Sequence, residues 1–224
     1  MTQGASVGER RDALVELYRE VAGCARCPLA ETRTKAVFGA GNADAGLMFV
    51  GEAPGAEEDR QGLPFVGRAG QLLGELLGGI GMKREDVFIC NVLKSRPPGN
   101  RDPLPAEIDA CQPYLWRQIE LIEPQVIATL GNFATKLLTR NPAGITRVRG
   151  TPQIHTLGGR TVFVMPLLHP AAALRTPAMK DALREDFAKL PALLVEALPE
   201  PEPEPPAGGA EPDAAPADQL DLFR

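Results

Sequence analysis

The sequence predicts an α/β fold: three layers, α/β/α, around a central four-stranded, mainly parallel sheet. Four short apolar runs carry that reading: GLMFVG (46–51), DVFICNVL (86–93), PQVIATLG (124–131) and TVFVMPLL (161–168). They have strand length and are mainly apolar, without strict alternation, as strands covered on both faces are. Segments with helical spacing lie between and beside them, and each run is followed by a loop rich in Gly, Pro and polar residues, the pattern of strands feeding helices.

In chain order, the first segment reads as an amphipathic helix with Leu14, Leu17, Tyr18 and Val21 on one face. It has no apolar stretch behind a basic start, so no signal peptide is expected. Helices are predicted over 69–78, over 106–122 with Pro113 kinking or restarting it, over 132–139 and over 181–196. No internal repeat is visible. The composition changes in PEPEPEPPAGGAEPDAAPAD (199–218), which holds seven prolines. Such a segment buries too little to fold and is expected to be an extended, self-repelling linker. The chain therefore divides into a domain over 1–197 and a disordered acidic tail over 198–224.

The net charge is −5, but eight acidic residues and one basic residue fall from Glu196 onward. The remainder carries 23 basic and 21 acidic residues, a balance a nucleic-acid binder tolerates and any enzyme would show. No apolar run approaches the length of a membrane span. A cytoplasmic, nucleoid-associated protein is expected. There, Cys24, Cys27, Cys90 and Cys111 point to metal or redox chemistry rather than disulfides. CARC (24–27) suits two thiolates on one metal or cluster, whereas Cys90 and Cys111 read equally well as core residues.

Ligands of open α/β sheets bind beyond the carboxyl ends of the strands. Parallel order would bring Glu52, Asn91 and His169 into one crevice. Each has a plain alternative: Glu52 as a turn cap, Asn91 bonding a strand end, His169 as a core residue kept out of helix by Pro170. Asn91 offers a donor and an acceptor to a planar ligand. Phe65, in GLPFVG, is either core or a stacking platform. Lys94, Arg96 and Arg101 suit phosphate contacts or a solvated loop. No GxxxxGK[ST] phosphate loop is present, which disfavours a general nucleotide-processing enzyme.

Together, GEAPGAEEDRQGLPFVGRAGQLL (51–73), NVLKSRPPGNRDPLP (91–105), PQVIATLG (124–131), ITRVRG (145–150) and HPAAALR (169–175) resemble the family 4 uracil-DNA glycosylases, the iron–sulfur type, over about residues 15–190. The resemblance implies a monomer that flips uracil out of DNA and hydrolyses its glycosidic bond. It implies stacking by Phe65, edge reading by Asn91, a backbone donor at Ala53, a hydrogen bond from His169 to uracil O2, and rejection of the thymine methyl by Glu58. Ala53 replaces the water-activating aspartate of the best-known glycosylase family, so Glu52 or ordered water is expected to position the nucleophile. Lys94, Arg96, Arg101, Arg147, Arg149 and Arg175 become candidate phosphate contacts, with Arg147 and Arg149 on a loop pressing into DNA.

The resemblance also implies a structural [4Fe–4S] cluster. The family's usual third cysteine is replaced by Ser95; Cys90 is expected to take its place beside Cys24, Cys27 and Cys111, with Ser95 ligation or an incomplete cluster as alternatives. No histidine follows Lys94, so ordinary turnover is expected rather than self-cross-linking to the sugar. QLDLF (219–223) resembles the peptide by which bacterial repair proteins bind the sliding clamp, with Gln219 in a polar pocket and Leu220, Leu222 and Phe223 in an apolar cleft. The competing function class is a non-catalytic iron–sulfur DNA-binding module, for which Asn91 and His169 would be incidental.

Overall fold

The computed structural model describes residues 6–198; the tail and its clamp-binding peptide lie outside the described residues. The four predicted runs form the centre of the sheet. With two edge strands they are β1 (Ala40–Gly41), β2 (Leu47–Gly51), β3 (Phe88–Asn91), β4 (Val126–Leu130), β5 (Gln153–Leu157) and β6 (Arg160–Leu167). The order is β1-β3-β2-β4-β6-β5. β3, β2, β4 and β6 run parallel, and the two edges are antiparallel. The sheet thus has six strands rather than the expected four. β5 escaped detection because it alternates half-buried and exposed residues. It joins β6 through the two-residue turn Gly158–Gly159, both at positive φ, the geometry of a tight hairpin.

Successive side chains of a strand point to opposite faces, and here both faces are covered. Met48, Val50, Phe88, Cys90 and Ile127 pack on one side against Leu14, Leu17, Val21, Ile108, Leu115 and Ile119, from helices Val7–Ala22 and Pro105–Ile122. Leu47, Phe49, Ile89, Ala128 and Met165 pack on the other against Leu72, Leu73, Leu76, Leu183 and Phe187, from helices Arg68–Gly79 and Pro177–Phe187. Phe49 and Phe187 stack with ring centroids 5.6 Å apart. The α/β/α layering is therefore the direct consequence of strands apolar on both faces.

Helix Asn132–Thr139 has its predicted limits. Helix Pro105–Ile122 continues through Pro113, which lies on the exposed face. The helix predicted over 181–196 starts earlier, with Pro177 at its first position, and stops at Phe187. Pro191 restarts a short turn, Leu190–Leu193, because it cannot donate back to the preceding helix.

The connection from β2 to β3 leads to one side in the sheet and that from β4 to β6 to the other, so a crevice opens at the carboxyl ends between β2 and β4. The loop before β5 is pinned to that end. Asn132 accepts from the Ile145 amide (3.1 Å), and the Gly150 amide donates to Pro166 (2.8 Å). Asp186, 2% exposed, anchors the same loop through Arg149 (2.9 Å, an ion pair without hydrogen-bond alignment) and Lys189 (3.4 Å). Asp186→Ala leaves Arg149 half-buried without its counter-charge. We expect a loss of about 2–3 kcal/mol in urea unfolding; a loss below about 0.5 kcal/mol, the scale of ordinary surface substitutions, would show that the pair contributes nothing net.

Candidate active site

A cleft of about 360 Å³ occupies the crevice, lined by Glu52, Ala53, Gly55, Glu58, Phe65, Asn91, Asn100, Arg101 and His169 among others. The structure thus brings together Glu52, Asn91 and His169 from the ends of three different strands. β2 ends on Gly51, opposite Asn91 in register. A Cβ on Gly51 would lie 2.4 Å from Asn91 Oδ1 and 2.7 Å from the Phe65 ring. The bare backbone there lets the amide and the ring meet over the strand end.

Phe65 adopts left-handed φ of 51°, a strained conformation for an aromatic residue. It is held by its surroundings. A Cβ on Gly70 would lie 1.7 Å from the Phe65 carbonyl oxygen, so helix Arg68–Gly79 can approach only because residue 70 is glycine. Glu58 Oε1 accepts from the amides of Val66 (3.0 Å) and Gly67 (3.1 Å), and Arg84 donates to the Pro64 carbonyl (2.8 Å). Glu58 lines the cleft with one oxygen already committed to this loop. The Phe65 and His169 rings lie 5.8 Å apart.

His169 caps the short helix Pro170–Ala173, its Nδ1 accepting from the Ala171 amide at 3.1 Å. Nδ1 is then the acceptor, so a neutral ring carries its proton on Nε2. Burial pushes the imidazole pKa down, with Glu58 opposing, which favours that neutral form. Burial pushes the Glu52 carboxyl up, and Asp102 pushes it further. Among the described residues, the Glu52 carboxylate, the Asn91 amide, His169 Nε2 and the Ala53 N–H have no hydrogen-bond partner. None of the side-chain atoms among them is sealed from solvent, so they open onto the cleft, and four free polar groups converging there mark a place for a polar ligand.

The basic residues divide. Arg147 and Arg175 are exposed and make no ion pair among the described residues. Arg96 donates to Asn100 Oδ1 (2.7 Å), and Arg101 lines the cleft while holding Glu107 through both terminal nitrogens (2.9 and 2.6 Å). Two expectations are corrected. Arg149 is turned inward onto Asp186 and the Ala182 carbonyl, and Lys94 is 2% exposed, bonded to Asn91 and Gln118, and cannot reach a phosphate. The sequence signal for Lys94 is that it follows the apolar run 86–93 without a break.

Burial pushes the Cys111 thiol up, with Cys27 and Cys24 adding to it, while the Lys94 amide donates to its sulfur. These three thiols are neighbours. Cys90 is fully buried in β3 beside Gly39, and Lys94 is a charged neighbour that it shares with Cys111. Ser95 is buried where Arg33 bridges its hydroxyl (3.1 Å) to the Ala22 carbonyl (3.2 Å), just ahead of CARC. Among the described residues, no three His, Cys, Asp or Glu side chains close into a metal-holding group.

The sequence model of the Uracil DNA glycosylase superfamily matches residues 38–190. The chain is similar to the type-4 uracil-DNA glycosylase of Sulfurisphaera tokodaii, 47% identical over 82% of this chain and 86% of that protein. It is also similar to those of Archaeoglobus fulgidus (46% over 80% and 92%) and Thermotoga maritima (48% over 80% and 94%).

The raised pKa of Glu52 has a testable sign. A carboxyl held back from ionising in the folded state costs stability at pH values above its titration, and that cost disappears below the ordinary carboxylate range. Glu52→Gln should therefore melt above the parent at pH 7, with the difference closing as pH falls through that range. Equal melting at pH 7 would mean that the cleft solvates the charge fully.

Proposed function

The chain belongs to the uracil DNA glycosylase superfamily, and from that premise we propose that it is a uracil-DNA glycosylase of the type-4 kind, working as a monomer in the cytoplasm and acting on uracil in DNA in base excision repair. The observation that carries the residue assignment is the convergence of unpartnered polar groups beneath an aromatic ring in a cleft of base size. A flipped uracil stacks on Phe65 and meets the Asn91 amide along its edge. As the glycosidic bond breaks, its electron pair moves onto the uracil. The Nε2–H of neutral His169 and the Ala53 N–H donate to the oxygen on which that charge accumulates. Glu52 faces the sugar, balances its developing positive charge and orients the water that adds to it. Glu58 narrows the cleft on the side where a thymine methyl would sit and anchors the Phe65 loop. Arg147 and Arg175, with Arg96 and Arg101 at the rim, are the phosphate contacts.

Cys24, Cys27 and Cys111 have the donor chemistry for three corners of a [4Fe–4S] cluster, with Cys90 or Ser95 as the fourth, although their side chains as they stand do not close into a metal-holding set. Bound there, the group would pin the segment after helix Val7–Ala22 to helix Pro105–Ile122 as a structural brace. Residues 1–197 form the catalytic domain, and the acidic tail is a tether whose QLDLF peptide binds a sliding clamp. A disordered linker raises the local concentration of enzyme at the DNA that the clamp encircles.

The deciding experiment is uracil release from a labelled oligonucleotide followed by alkaline cleavage. Wild type should cleave, and His169→Ala should lose about 10²–10³ in kcat, the usual effect of removing one such donor. No release by iron-loaded wild type would sink the reading. Because the His169 pKa is depressed in the free protein, the acidic limb of the kcat/KM profile should lie below the ordinary histidine range of about 6.5. A chain ending at Asp218 should keep full activity on naked oligonucleotides and lose clamp binding; unchanged clamp binding would refute the tether.

A further inference from the structure

Lys94 carries an interior amino group, 2% exposed, for which the reaction described above has no use. On the free edge of β3, pairing with β1 reaches only Ile89, so the Asn91 carbonyl has no strand partner there. Lys94 Nζ donates to that carbonyl at 2.6 Å and to Gln118 Oε1 at 2.6 Å. Gln118, itself fully buried, donates onward to the Phe38 carbonyl at 2.9 Å. The same turn is tied to the end of β2, because the Val92 and Leu93 amides donate to the Gly51 and Glu52 carbonyls (2.9 and 3.0 Å). The Lys94 carbonyl accepts from Val37 at 2.7 Å, and its amide donates to the Cys111 sulfur. Among the described residues no carboxylate pairs with this amine. Burying a polar group that serves hydrogen bonding alone gives up its solvation, so its geometry is the feature to explain.

We propose that Lys94 is a positioning residue for the uracil reader: its amine, seated by Gln118, closes the turn 91–94 from within and fixes the peptide plane from which the Asn91 side chain projects over Gly51. The inference rests on the reading of Asn91 as the group that meets the uracil edge. Rotation of the 91–92 peptide would swing the amide away from Gly51, and the same movement would pull on the backbone of Glu52 through Leu93. A donor at Nζ is needed because β1 does not reach the carbonyl and Asn91 is 2% exposed. The amine is equally buried, so its loss should leave DNA affinity alone and slow the chemical step. Displacement of a reacting or reading group by about 1 Å costs up to about a hundredfold in rate.

The test uses full-length, iron-loaded protein. Lys94→Met keeps the length and removes the donors; Gln118→Leu leaves the amine and removes its seat, and serves if the first variant does not fold. Melting temperature, iron content, visible absorption, kcat and KM on a uracil-containing oligonucleotide are measured for each. The expected result is a fall of about ten- to a hundredfold in kcat with KM, iron and absorption as in wild type. Wild-type kcat in either folded variant overturns the proposal. So does a loss of kcat that tracks loss of iron, which would place Lys94 in the service of the cysteines. Asn91→Ala, run alongside, separates the two levels: if it retains full kcat, the reader assignment itself is wrong, whatever Lys94 does.

Discussion

The absence of a side chain at Gly51 is the constraint on which the cleft depends. β2 and β3 end side by side there, and any Cβ would strike both the Asn91 amide and the Phe65 ring. With that space empty, the Asn91 amide and the Phe65 ring, from different loops, share one surface. The strain this imposes is visible at Phe65, whose backbone is left-handed. It is held in place by the close approach of Gly70, by Glu58 across the Val66 and Gly67 amides, and by Arg84 on the Pro64 carbonyl. Strain of this kind persists only where surrounding contacts over-determine it.

The electrostatics follow from that geometry. The cleft sits deep enough to depress the imidazole of His169 and raise the carboxyl of Glu52, yet neither group is neutralised by a partner. The helix cap made by His169 settles which nitrogen carries the proton, so orientation is fixed before any substrate arrives. Fixed donors in a water-poor recess act more strongly than the same groups in water, and they need no reorganisation as charge develops.

Much of this was legible in the sequence. Four mainly apolar runs gave the parallel centre of the sheet, and the rule that ligands sit beyond strand carboxyl ends gathered Glu52, Asn91 and His169 across more than a hundred residues. What escaped was whatever depends on partners distant in sequence. β5 is half-exposed and alternates, so it has no apolar run to detect. Lys94 and Arg149 look like surface cations until Gln118, Asp186 and the Ala182 carbonyl are brought beside them. Cys90 and Ser95 differ by which way one strand end turns, which spacing alone does not encode.

The distribution of charge also bears on the route of the proposed reaction. The cleft lining carries donors, His169 Nε2–H and the Ala53 amide, together with the Glu52 carboxyl, which has Asp102 as a charged neighbour. A glycosidic bond laid between them is polarised toward an anionic base and a cationic sugar. A step driven mainly by an activated water would need a strong base aimed at the sugar carbon, and residue 53 is an alanine. Glu52, whose proton is held more tightly by burial and by Asp102, gains by facing a developing cation, because that cation offsets what the cleft charges for its ionisation. The same carboxylate is therefore most comfortable when the bond is most nearly broken, which is the condition for stabilising a dissociative transition state over the bound substrate.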